Sequence, residues 1–131
     1  MKKLVELVLT AILFTFCFGT AAYAVEPRWS NTGSITYGIS FDNSTTGRAA
    51  IGVTGKIGTS RIECEIDVYR QVGSSWVYVT GGAEAVNDGA LDFDVPITGI
   101  SGAYYRADFT ITVYRNGTAE VITRDYYKTC P

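Results

Sequence analysis

Histidine is absent from all 131 residues, which removes the commonest general base, the commonest metal ligand and every Ser-His or Cys-His nucleophile arrangement. Carboxylates, tyrosines, arginines and three cysteines remain. Two carboxylates suffice to cleave a glycosidic bond if one is kept protonated and a sugar cleft separates them, but a small domain with short connections has little material for such a cleft. The chain is therefore read as non-enzymatic and in need of no cofactor. The densest acidic group is Asp88, Asp92 and Asp94; Asp92 and Asp94 share one strand face, and with a carbonyl near Asn87 they are a candidate calcium site of oxygen ligands. The plainer reading is a solvated face opposite Leu91, Phe93 and Val95, and it implies no metal. The most suggestive residues are tyrosines beside arginines, and Tyr69, Tyr104, Arg106, Tyr114, Arg115 and Tyr126 form a candidate binding face. Tyr and Arg dominate binding hot spots because they combine rigid contact area with polar reach, although Tyr also suits half-exposed strands.

The elements that position these residues follow an N-terminal export signal. Met1-Lys2-Lys3 precedes an apolar run from Leu7 to Phe18, then small residues ending in an A-x-A site at Ala22 and Ala24. That order predicts a cleavable signal peptide over residues 1–24 and secretion of the rest; the run is too short for a stable membrane span, which takes about 20 residues. Glu6 is the one irregularity. Cleavage leaves 107 residues, enough for one domain with a single core. Removing Lys2, Lys3 and Glu6 leaves nine basic and twelve acidic side chains, a balance that points away from nucleic acid. Cys17 lies inside the signal, leaving Cys64 and Cys130. In an oxidising exterior two cysteines have one intramolecular pairing, closing 67 residues and worth about 4 kcal/mol by loop entropy. Two thiols or an intermolecular bond are the alternatives.

Apolar residues recur at every second position through the mature chain, the period of a half-buried strand. Ile62, Cys64, Ile66 and Val68 alternate with Glu63, Glu65, Asp67 and Tyr69, so Cys64 is expected to point inward. Tyr105, Ala107, Phe109, Ile111 and Val113 repeat the pattern. Further strands are predicted around Ile35 to Phe41, Ile51 to Ile57 and Leu91 to Val95, with shorter ones at 76–80 and 119–128. Asn116-Gly117 between alternating runs is a hairpin signal that pairs 103–115 with 118–128. About seven strands, no helical stretch after residue 24 and frequent turns predict an all-β antiparallel sandwich, with a closed barrel as the alternative. Residues 25–32 are expected to be a flexible lead-in before a single domain over 33–131. Asn43-Ser44-Thr45 and Asn116-Gly117-Thr118 match a glycosylation sequon but read more simply as turns.

Cys64 followed by Trp76, and Tyr105-x-Ala107 opening a long strand, resemble an immunoglobulin-type or fibronectin-type sandwich; the place of the second immunoglobulin cysteine is Ala107 here. The resemblance implies a core position for Trp76. The segments "IDVYRQVGSSWVYV" and "GAYYRADFTITVYRNGT" are similar to short secreted Firmicutes proteins known only as a domain of unknown function. That resemblance implies export and one β domain, and supplies no activity. The expected function is thus a secreted module that binds a surface protein or an extracellular glycan; a structural subunit of the cell envelope and a bacteriocin-like toxin are the alternatives.

Overall fold

Two-residue alternation produces seven antiparallel strands. The structure, a computed structural model, describes residues 29–131; the expected signal over 1–24, with Cys17, Ala22 and Ala24, and residues 25–28 of the expected lead-in lie outside the described residues. The strands are β1 (Thr32–Phe41), β2 (Thr46–Gly55), β3 (Thr59–Val72), β4 (Ser75–Val86), β5 (Ala90–Thr98), β6 (Tyr104–Arg115) and β7 (Thr118–Thr129). They form a three-stranded sheet, β1-β2-β5, and a four-stranded sheet, β4-β3-β6-β7. The fold is a β-sandwich. Compared with an antibody constant domain, the fourth strand has moved from the first sheet to the second.

The inward faces supply the core. Ile62, Cys64, Ile66 and Val68 of β3 and Tyr105, Ala107, Phe109, Ile111 and Val113 of β6 are buried against Ala49, Ile51 and Val53 of β2 and Leu91, Val95 and Ile97 of β5. Tyr105 is fully buried, and its hydroxyl accepts from Ile100 N at 3.0 Å and reaches Thr98 O at 3.5 Å. This is the tyrosine corner of immunoglobulin-like sandwiches, which satisfies the phenol while fixing the approach to β6. Asn116 and Gly117 take φ of 52° and 76° and close the hairpin with Arg115 opposite Thr118, as the Asn-Gly signal predicts. Two strand limits differ from expectation. Ile57 is 95% exposed, because β2 stops at Gly55 and the chain turns there. β4, expected as a short strand, runs for 12 residues.

Cys64 and Cys130 are both buried free thiols rather than a disulfide. Cys64 does point inward, opposite Ile111 in mid-β6. Cys130 follows the end of β7 and its amide donates to Ala103 O at 2.8 Å, beyond the start of β6. At ~3.3 Å per residue the two levels are about 26 Å apart along the strands, whereas a disulfide requires Cα atoms within roughly 7 Å. Cys130 Sγ instead faces Ser44 O at 3.3 Å and lies over Gly99. Burial, with Glu84 adding to it, pushes the Cys64 thiol up to about 11, so it is a poor nucleophile.

The expected lead-in is fastened from Trp29 onward. The Glu120 carboxylate on β7 accepts from Ser30 N and Oγ at 2.6 Å each, from Asn31 N and Thr32 N at 3.1 Å each, and from Thr32 Oγ1 at 2.8 Å. Asn31 Nδ2 donates to Val113 O and Thr118 O, both at 2.9 Å, and Arg124 lies 5.6 Å over the Trp29 ring. Partial burial alone raises the Glu120 pKa, but the hydrogen bonds from Ser30, Thr32 and Asn31 prevail and lower it to about 2.

Two outcomes follow from this packing. Because the folded Glu120 pKa is depressed, its stabilisation is complete above about pH 4.5 and is lost as pH falls toward about 2. Glu120→Gln should lose about 2 kcal/mol in urea unfolding at pH 7, and the wild-type advantage should shrink as the pH is lowered through that window. Alkylation of the protein unfolded without reductant, followed by peptide mapping, should modify both Cys64 and Cys130, while native Cys64 stays unmodified.

Candidate functional site

Strand parity and cross-strand register place a row of large polar-aromatic side chains on the solvent face of the four-stranded sheet. On β3 the outward residues are Glu63, Glu65, Asp67 and Tyr69, because their neighbours Ile62, Cys64, Ile66 and Val68 are buried. Tyr69 lies opposite Tyr78 of β4 and Arg106 of β6, and Arg106 lies opposite Tyr127 of β7. One step toward the end of the sheet, Trp76 and Tyr104 complete the group. The Tyr104 and Tyr127 rings stack at 5.8 Å and 22°, and Trp76 lies 5.8 and 5.9 Å from them. The Arg106 guanidinium sits 4.6 Å over Tyr69 and 4.9 Å over Trp76, a double cation–π contact. Tyr78, Tyr127 and Tyr104 remain 57%, 47% and 38% exposed.

Gly81 shapes this surface. A Cβ there would fall 2.6 Å from the Tyr78 hydroxyl and 2.9 Å from Asp67 Oδ1. Its absence lets the Tyr78 side chain extend over the glycine beside Asp67, instead of standing clear of the sheet. A bulge between Val68 and Tyr69 gives β4 an extra residue at this level and turns the edge strand locally.

Next to the aromatic row runs an acidic one. Asp67, Asp108 and Asp125 are directly opposite one another on β3, β6 and β7, an arrangement of like charges that cross-strand pairing disfavours. Burial pushes the Asp108 carboxyl up and Asp125 adds to this, while Arg106 opposes it. Arg106 Nε lies 3.0 Å from Asp108 Oδ1 as an ion pair, at an angle that leaves both atoms without a hydrogen-bond partner, and Nη2 donates to Asp108 Oδ2 at 3.2 Å. Arg106 thus links the rows: its charge balances Asp108 while its guanidinium lies against the Tyr69 and Trp76 rings. Further along, Glu63, Glu65, Ala83, Ala85, Thr110 and Thr112 line an open trough of about 290 Å³.

Of the predicted binding face, Tyr69, Tyr104 and Arg106 come together. Tyr114, Arg115 and Tyr126 do not. Tyr114 faces solvent at the far end of β6, where its hydroxyl bonds Glu63 Oε2 at 3.3 Å. Arg115 is tied to Ile57 O at 2.8 Å and Ser30 O at 3.3 Å. Tyr126 points between the sheets, against Tyr37 and Gly38. The residues missed are Trp76, Tyr78 and Tyr127. Trp76 was expected in the core, but it follows the turn onto β4 and lies opposite Gln71 on the outer face. Tyr127 was recoverable from the Asn-Gly hairpin, whose register alone sets it across from Arg106.

The calcium candidate is dispersed. Asp92 and Asp94 share the outer face of the three-stranded sheet, opposite Gly52 and Ala50, whereas the Asp88 carboxylate accepts from Gly89 N at 2.6 Å in the preceding turn. Among the described residues no three acidic or cysteine side chains converge as a metal site. Asp92 and Asp94 border instead, with Arg48, Thr36 and Ser40, a hollow of about 650 Å³. It is larger than the trough, but the aromatic rings near it, Tyr37 and Phe93, pack inward against Phe109 and over Gly82, so the hollow presents mainly polar groups. Among the described residues no helix is long and apolar enough to cross a membrane.

No family model matches this sequence, and no curated protein matches it. Solved structures do resemble the fold. A PapD-like domain of human CEP192 is 7% identical with a TM-score of 0.48, covering 82% of this chain and 92% of that one. The sensor domain of the anti-sigma factor RsgI4 from Pseudobacteroides cellulosolvens is 17% identical with a TM-score of 0.38, covering 72% and 95%. A β-glucuronidase from Parabacteroides merdae is 11% identical with a TM-score of 0.45; 72% of this chain is covered, but it spans only 13% of that enzyme. The likeness is one of β-sandwich architecture.

Proposed function

We propose that the protein is an extracellular, non-enzymatic module that binds a glycan through the aromatic end of its four-stranded sheet. The observation that carries this reading is the placing of Tyr69, Trp76, Tyr78, Tyr104 and Tyr127 around Arg106 on a solvent face. The core is complete without them, so the sandwich does not explain why so much aromatic surface stays in water. Ring faces pack against the C–H faces of sugars, while tyrosine hydroxyls and neighbouring carboxylates hydrogen-bond their hydroxyl groups. The surface is open rather than enclosed, which suits a chain passing across it. Assembly through the edge of β4 is opposed by the bulge at Val68/Tyr69 and by Glu84, a charge placed on the inward side of that edge.

Residues 29–131 purified and applied to a panel of immobilised polysaccharides should be retained by at least one of them. The double variant Trp76→Ala/Tyr127→Ala should bind about tenfold more weakly or not at all, with a thermal unfolding midpoint near wild type because both side chains lie outside the core. Absence of binding to every polysaccharide, or equal binding by the variant, rejects the reading.

A further inference from the structure

The aromatic end does not stand alone on its face. Proceeding down β4 from Tyr78, the outward positions are Gly81, Ala83 and Ala85, opposite Asp67, Glu65 and Glu63 of β3. β4 therefore forms a low lane and β3 a parallel ridge of carboxylates, with the 290 Å³ trough at its Glu63–Glu65 end, between Ala83 and Ala85 of β4 and Thr110 and Thr112 of β6. From Glu63 to Tyr69 this lane is about 20 Å long at ~3.3 Å per residue. Asp108 and Asp125 widen the acidic band toward β7. Against these five carboxylates the face carries two guanidinium groups, and both are engaged: Arg61 Nε with Glu63 Oε1 at 2.9 Å, and Arg106 with Asp108. Glu65, Asp67 and Asp125 have no cationic partner among the described residues.

Resting on the glycan reading above, we infer that the ligand is an amine-bearing, cationic polysaccharide, lying along the strands with one end on the Tyr78–Trp76–Tyr104 rings and its ammonium groups over the β3 ridge. Charge complementarity selects this occupant. An acidic polymer meets unbalanced carboxylates along the whole lane, and a neutral one leaves them unpaired. The small side chains of Gly81, Ala83 and Ala85 let a ring-containing backbone approach the sheet beside the ridge. Arg106 is a poor anion receptor, because its guanidinium lies against the Tyr69 and Trp76 rings and is paired with Asp108.

Isothermal titration with three hexamers, of glucosamine, N-acetylglucosamine and galacturonate, tests this at about pH 6. The glucosamine hexamer should bind about tenfold more tightly than its acetylated form, weaken as salt is raised, and leave galacturonate without measurable binding. Glu65→Gln/Asp67→Asn should remove most of that preference while retaining the weaker binding of the acetylated hexamer. Equal or tighter binding of the acetylated hexamer overturns the inference and leaves the glycan reading standing. Binding of glucosamine that octalysine matches, and that Trp76→Ala/Tyr127→Ala does not alter, shows attraction of any polycation and overturns both. No binding of the glucosamine hexamer overturns the inference, and the polysaccharide panel then decides the broader reading separately.

Discussion

The two-residue turn at Asn116-Gly117 is the constraint on which the four-stranded sheet depends. Both residues occupy the left-handed region, the backbone twist of the turn matches that of the strands, and the pairing of β6 with β7 then has no freedom left. A slip of one residue would turn every β7 side chain to the opposite face: Ile122 would leave the core and Tyr127 would leave Arg106. The same turn therefore specifies the hydrophobic contact of Ile111 with Ile122 and the solvent-side row from Tyr78 to Tyr127. β6 passes this register to β3 and β3 passes it to β4, so a local choice of two residues is read out at the far edge of the sheet.

The two faces of that sheet obey different physics. The inner face is satisfied by burial, with the deeply buried phenol of Tyr105 accepting a hydrogen bond from a backbone amide. The outer face holds interactions that are locally unfavourable. Three aspartates stand in one row, and Arg106 is shared between a carboxylate and two rings. Like charges placed side by side weaken a sheet, and the inner core supplies enough cohesion to tolerate them. That division of labour is what lets a surface be shaped by something other than stability.

Much of the architecture was legible in the sequence, because alternation and turn chemistry are local. The seven strands, the inward orientation of Cys64, the hairpin and the buried Tyr105 all follow from residues within a few positions of each other. The disulfide was not legible. An oxidising setting and two cysteines argue for a bond, but whether they meet is a matter of register between β3 and the end of β7, which no local pattern records. Trp76 was misplaced for a related reason: its resemblance to the tryptophan of immunoglobulin-type sandwiches implied a core position, whereas here the strand it opens is an edge strand and the cross-strand partner Gln71 fixes its side. Half of the predicted binding face is dispersed because Tyr114 and Arg115 stand at the far end of β6 and Tyr126 turns between the sheets, differences of level and parity that nearness in sequence does not record. The true neighbours, such as Arg106 and Tyr127, are 21 residues apart in sequence and adjacent only through pairing.

The fastening of Ser30, Asn31 and Thr32 by Glu120 also sets a polarity for the whole molecule. These residues meet β7 beside the Asn116-Gly117 turn, and the aromatic cluster lies at the other pole, beside the start of β6 and the end of β7. Ser30, Asn31 and Thr32 consequently lie at one pole while the rings look out from the other, about 30 Å away along β6. Any anchor, surface or neighbouring domain joined on that side would hold the aromatic end outward, and the position of one glutamate would determine which way the molecule faces.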